Sequence, residues 1–141
     1  MLTETRVTSL AVCALRLLRI QETATSTRVD IEIVGPHLRA TPSLVASLLR
    51  SYPTLAQHAC YSRGSGLFGD KITAALLPHV LEHLAIELLV QAHPGHVFAG
   101  NTAWLNREHR TMRVRLSHQE GADVEAVVKE ALVLMNSLLA A

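Results

Sequence analysis

The chain has 141 residues, 49% hydrophobic and 18% charged, a balance that excludes a disordered segment and predicts one globular domain over residues 1–141. Its formal net charge is +1 and no run of Lys or Arg occurs, so no nucleic-acid field and no basic membrane patch is expected. Aromatic residues make up only 4%, which leaves the core to Leu, Val, Ile and Ala.

Taken in order, residues 7–20 read two ways. Val7, Leu10, Ala11, Ala14, Leu17 and Leu18 fit a helical stripe, but a buried strand fits as well. Arg16 and Arg19 interrupt the segment, which is too short to span a bilayer and lacks the basic start and cleavage site of a signal peptide. Residues 28–34 alternate, with Val29, Ile31 and Ile33 opposite Arg28, Asp30 and Glu32, which predicts a half-buried strand. Gly35-Pro36 breaks it. Thr41-Pro42 starts a helix striped by Leu44, Val45, Leu48 and Leu49, and Tyr52-Pro53 ends it. Residues 54–69 read as a loop or a short helical turn.

Asp70 is placed to cap the next helix, and Pro78 either kinks that helix or restarts it as a segment running to about Gln91. A short strand is expected over 97–102. Residues 111–117 alternate again, with Met112, Val114 and Leu116 on one face. A last helix over about 123–139 gathers Val124, Val127, Val128, Ala131, Leu132, Met135 and Leu138 on one side. The sum is an α+β fold: a two-layer sandwich, with a small, mostly antiparallel sheet and helices packed on one face. Cys13 and Cys60 form no CxxC pair and no disulfide framework, which suits a reducing cytoplasm.

The segment from Pro78 to Gln91 carries the strongest chemical signal. At about 100° per residue, Leu77, Val80, Leu81, Leu84, Ala85 and Leu88 cluster on one side, while His79, Glu82, His83 and Glu87 gather on the other. His79 and His83 lie one turn apart, so their rings can hold one ion, and Glu82 projects beside them. His-x-x-Glu-His is the inverted form of a zinc-peptidase motif. Imidazole nitrogen suits zinc, a catalytic zinc acidifies its water, and a nearby carboxylate takes the proton. These residues predict His79 and His83 as zinc ligands and Glu82 as catalytic base. Glu87 is the candidate third ligand or an orienting group for His83. Glu120, from a separate element, is the alternative third ligand, and His58 follows. The plain alternative is a solvated helix face, though Ile86 in the middle of that stripe argues that it is partly covered.

Other features read more simply. Arg63-Gly64-Ser65-Gly66 is a flexible turn before it is an anion nest. Cys60 beside His58 lacks an orienting acid at a known spacing, so a buried structural cysteine precedes a thiol nucleophile. His93 and His96 flank Pro94-Gly95 as loop residues. Trp104, the single tryptophan, lines a pocket or caps the core.

The stretch Pro53-Thr-Leu-Ala-Gln-His58-Ala-Cys60 resembles the Pro-Ser-Leu-x-x-His-x-Cys stretch near the start of cyanophycin synthetases. Gly66-Leu67-Phe68 looks like the Gly-Gly-Phe that follows there. His79-Val-Leu-Glu82-His83-Leu-Ala85-Ile-Glu87-Leu88 is similar to that family's His-x-x-Glu-His-x-Ala-x-Glu-Leu helix. The resemblance covers roughly Arg28 to Leu139, the extent of the family's N-terminal domain. The family's ATP-dependent synthetic domains have no room here, so the resemblance implies no synthetase activity. It implies a domain that holds a peptide-like polymer and, in some members, carries a metallopeptidase-like site. His79 and His83 would then hold the metal, Glu82 would be the base, and His58 and Cys60 would stand beside them. Where the family has Gly-Phe-Gly-Arg-Thr-Arg, this chain has Val97-Phe98-Ala99-Gly100-Asn101-Thr102-Ala103, without either arginine. Those arginines are natural partners for polymer carboxylates.

Three functions are expected. The first is a zinc-dependent peptidase-like hydrolase acting on a peptide or peptide-like polymer, with His58 and Arg63 near the substrate. The second is a non-catalytic binding module for an Asp/Arg-type polymer or a protein partner. The third is a homo-oligomer that packs through the polar helix face.

Overall fold

The computed structural model describes residues 13–62 and 64–140. Strands β1 (Leu15–Glu22), β2 (Ser26–Ile33), β3 (Ala99–Asn106) and β4 (Thr111–Ser117) form one sheet in the order β1-β2-β4-β3, every neighbouring pair antiparallel. Helices α1 (Pro42–Ser51), α2 (Leu77–Ala92) and α3 (Val124–Ala140) supply the second layer. Between α1 and α2, residues 53–74 run through three short 3-10 turns. The expected α+β class is the one observed. Among the described residues, no helix is long and apolar enough to cross a membrane.

Alternation places the sheet on its core. Val29, Ile31 and Ile33 of β2 and Met112, Val114 and Leu116 of β4 are buried in one cluster with Leu44 and Leu48 of α1, Leu81 and Leu84 of α2, and Val128 and Met135 of α3. Helix α1 starts as its sequence predicts: Thr41 accepts a hydrogen bond from the Leu44 N–H at 3.2 Å, and Pro42 follows the cap. Asn136 of α3 ties that helix to β1. Its Oδ1 accepts from the Leu15 N–H at 2.9 Å and its Nδ2 donates to the Leu15 carbonyl at 2.9 Å.

Two elements differ from the sequence reading, and one left open is decided. Residues 15–22 are strand, the second of the two readings, and a bulge between Leu17 and Arg19 breaks the alternation that would have marked it. Residues 7–12 lie outside the described residues. The third strand lies later than expected, at Ala99–Asn106, because it forms a hairpin with β4 through the turn Arg107–Arg110, where Arg110 takes a left-handed φ of 57°. Asp70 caps no helix. It lies in a 3-10 turn, and α2 begins afresh at Leu77 with Pro78 in its first turn.

On the outer sheet face, Arg113 grips Asp30 with both arms: Nε donates to Oδ1 at 2.7 Å and Nη2 to Oδ2 at 3.0 Å. The Arg113 hydrogen bond holds the Asp30 carboxyl below its ordinary value of 3.8. Burial opposes this, and the charges of Arg113, Arg19 and Arg28 add to the lowering. A carboxylate with a depressed folded pKa contributes stability that is complete above its ordinary pKa and is lost as the pH falls through the folded one. Asp30→Asn should therefore cost about 1–2 kcal/mol at neutral pH. In denaturant titrations across pH, the gap from the unaltered protein should close as the pH drops below 3.8.

Candidate metal centre

Helix α2 is buried on nearly all sides. Leu77, Val80, Leu81, Leu84 and Ala85 join the core, but Glu82, His83 and Glu87 are also only 4%, 4% and 5% exposed. The polar stripe is therefore an interior face, roofed by the segment 53–72 and flanked by β3. Phe68 from that roof stacks on the His83 ring at 3.9 Å between centroids and meets the His79 ring edge-on at 5.4 Å.

The roof is folded tightly enough to aim its own side chains. The Cys60 N–H donates to the Gly66 carbonyl at 2.8 Å and the Phe68 N–H to the His58 carbonyl at 2.8 Å. Lys71 Nζ donates to the carbonyls of Cys60, at 2.7 Å, Ser62, at 2.7 Å, and Gly64, at 2.5 Å, closing the loop around one cation. Gly69 lets the roof touch itself, since a Cβ there would lie 2.7 Å from the Ala56 Cβ and 2.9 Å from its carbonyl oxygen.

This folding brings Cys60, His79 and His83 together, with one donor atom from each within 4.8 Å of the others. The Cys60 sulfur lies 3.6 Å from His79 Nε2. From zinc–sulfur and zinc–nitrogen bond lengths, tetrahedral ligands stand about 3.3–3.8 Å apart, so the donor set fits zinc in type and needs only slight closing in spacing. Burial, with the charges of His79 and His58, drops the His83 pKa to about 3, and burial with the Lys71 charge lowers that of His79. Both rings are thus neutral, the form that ligates a metal.

Hydrogen bonds also link Glu87 to His83 through His58. Glu87 Oε1 lies 2.9 Å from His58 Nε2, and His58 Nδ1 lies 3.1 Å from His83 Nδ1. In the tautomer where His58 donates from Nε2 to the carboxylate and accepts the His83 Nδ1–H at its own Nδ1, the Nε2 lone pair of His83 is left for a metal. Glu87 Oε2 accepts from Thr54 Oγ1 at 2.7 Å and Gln91 Nε2 at 2.9 Å. Burial raises the Glu87 carboxyl, but the hydrogen bonds from Thr54, Gln91 and His58 outweigh it and hold the group below its ordinary value. Both Glu87 oxygens are taken, so Glu87 orients His83 through His58 instead of facing the cluster. Glu120 is exposed in the turn after β4 and does not line the cleft. The third donor at the cluster is Cys60, a residue the helix pattern could not supply. Arg63 lies outside the described residues.

Glu82 stands on the strand side of the cluster. Thr102 Oγ1 donates to its Oε1 at 2.7 Å, and its Oε2 lies 3.9 Å from His83 Nε2. Burial pushes the Glu82 carboxyl up to about 7, against the Thr102 hydrogen bond that lowers it. Gly100 makes room for it: a Cβ there would lie 2.9 Å from Glu82 Oε2 and 3.0 Å from its Cγ. The cluster and Glu82 open into a cleft of about 620 Å³ whose lining includes His58, Tyr61, Ile86, Phe98 and Thr102.

Fold and site together define a small α+β domain with a buried His/His/Cys cluster and a carboxylate at the wall of an open cleft. The chain belongs to the cyanophycin synthase-like N-terminal domain family, whose sequence model matches residues 28–140. Searches of curated proteins and of solved structures give no match.

Proposed function

We propose that this chain is a zinc-dependent, peptidase-like hydrolase acting on a peptide or peptide-like polymer. The observation that carries this reading is the position of Glu82, a buried carboxyl with a pKa near 7, 3.9 Å from His83 Nε2 at the edge of a cluster of three donor atoms. Cys60, His79 and His83 would hold the ion. Bound zinc supplies a Lewis acid for the carbonyl oxygen and lowers the pKa of water. Glu82 takes the proton of the attacking water and returns it to the departing amine nitrogen, a role that its place beside the cluster suits. Thr102 fixes the carboxylate, and the Glu87–His58 pair fixes the His83 ring. The unpaired Cys13 and Cys60 accord with a reducing cytoplasm.

Protein purified without a histidine tag should carry about one zinc per chain and hydrolyse peptides only while the metal is present. Metal analysis with a chelation and re-addition series tests this. Substoichiometric zinc, or turnover indifferent to chelator, would refute it. The alternative, a binding module without catalysis, draws on the cleft alone. Under it, affinity for a peptide-like polymer or a protein partner survives chelation and no turnover occurs.

Gly100→Ala is a sharp probe of Glu82 placement. The new methyl would push the carboxylate off its position while leaving Cys60, His79 and His83 alone. Peptide turnover should fall about 100-fold. Zinc content should not change, as metal analysis of the same sample would show.

A further inference from the structure

The cleft wall opposite α2 has an unusual construction. Ala99, Gly100, Asn101 and Thr102 all line it, four successive residues of β3. Side chains on a strand alternate, and here Thr102 points to the helices and contacts Glu82. A wall to which residues of both faces contribute is the backbone edge of the strand itself.

That edge is open. In the order β1-β2-β4-β3, the third strand is terminal and pairs only with β4. Among the described residues, no backbone group of residues 99–105 hydrogen-bonds to anything beyond β4. Alternate residues of β3 therefore present unpaired N–H and C=O groups toward the cleft.

Exposed edges are normally blunted by charge, proline or a bulge. The other edge strand follows this rule: β1 carries Arg16, Arg19 and Glu22, is bulged between Leu17 and Arg19, and is held at its start by Asn136. Strand β3 reads Ala-Gly-Asn-Thr-Ala-Trp-Leu-Asn, without a charge or a proline; its register shift falls between Trp104 and Asn106, beyond the cleft-lining residues 99–102, whose pairing with β4 is regular.

From this contrast, the geometry points to an extended peptide segment as the occupant of the cleft, added to β3 as a fifth antiparallel strand. This inference rests on the hydrolase reading for its functional meaning and names the substrate class. Strand addition would lay the peptide backbone along Gly100 and Thr102, the two residues that position Glu82. Main-chain pairing supplies affinity, and alternate side chains supply selectivity. The described cleft lining has no Lys or Arg, while Glu82 is already buried within it. An aspartate-rich strand would bring negative charge beside that carboxylate without a partner, so the fitting segment is neutral or apolar.

The full, unaltered chain stripped of metal by chelator tests this without turnover and keeps the Glu82 carboxylate in the cleft. Probes are a capped peptide of Ala, Val and Thr as long as β3, its counterpart with alternate aspartates, and a set with one N-methyl amide at each position. Trp104 is the only tryptophan and lies on β3, so its fluorescence reports binding. Amide hydrogen exchange reports the site. The neutral peptide should bind and slow exchange at every second residue of β3. N-methylation should weaken binding about tenfold at alternate positions only, and the aspartate peptide should bind at least about tenfold more weakly.

A flat N-methyl profile, no binding of the neutral peptide, or protection confined to other elements would overturn the inference. So would concentration-dependent dimerisation that protects β3 without peptide. Zinc bound at one per chain with β3 unaffected would sink strand addition alone. Peptide pairing on β3 in a protein that takes up no zinc would sustain strand addition and sink the hydrolase reading.

Discussion

Glu82→Gln should retain about one zinc per chain and lose peptide hydrolysis by a factor of about 10² to 10⁴, the range that a positioned general base contributes. Glutamine has the shape of glutamate and can still accept the Thr102 hydrogen bond through its carbonyl oxygen, so the strand contact seen at 2.7 Å is kept. It cannot take a proton from water. Cys60, His79 and His83 are not altered, and metal content should not move. Turnover by the variant equal to that of the unaltered protein would show that Glu82 is not the base.

The second large effect separates a ligand from a group that orients one. Cys60→Ser removes the sulfur that lies 3.6 Å from His79 Nε2 and leaves a harder, shorter donor in its place. Glu87→Gln leaves all three donors but weakens the acceptor that fixes His58, and through it His83. Outer hydrogen-bond partners of metal ligands typically cost about 10–100-fold in metal affinity when altered. Competition with a chromophoric chelator should place Glu87→Gln in that range and Cys60→Ser clearly beyond it. The reverse order would return Glu87 to the position of direct ligand. His58→Ala should resemble Glu87→Gln, since it cuts the same relay one link nearer the cluster.

How much of this was legible in the sequence depended on whether each segment met two different environments. Strands β2 and β4 are central, with core on one face and solvent on the other, so Val29-Asp30-Ile31 and Met112-Arg113-Val114 alternate plainly. Strand β3 is an edge with little burial on either side, and its uncharged sequence carries almost no period, so its bounds were read too early. The bulge in β1 shifts the pattern by one residue and lets Leu17-Leu18 pass for a helical pair.

Helix α2 was visible as a helix, with Pro78 as either its kink or its restart; the structure shows the restart. Ile86 pointed to a polar side that is partly covered, but not to what covers it, because the roof comes from residues 53–72 and only tertiary folding brings it there. For the same reason Glu87, a good ligand by helical position, is consumed by Thr54, His58 and Gln91. Cys60 was missed as a third donor because it shares no periodicity with His79. The one sequence signal that pointed to it was its place beside His58 in the stretch resembling the family's His-x-Cys.

The Lys71 clamp has a thermodynamic consequence. Cys60 and His79 stand 19 positions apart and belong to different layers of local structure, a hairpin-like loop and a helix. An ion shared between them would act as a reversible rivet across that span, removing conformational freedom from the intervening chain only when loaded. Lys71 gathers three carbonyls at the loop's base and so shortens the search that the thiolate must make. Metal occupancy and the rigidity of this one corner would then be a single equilibrium.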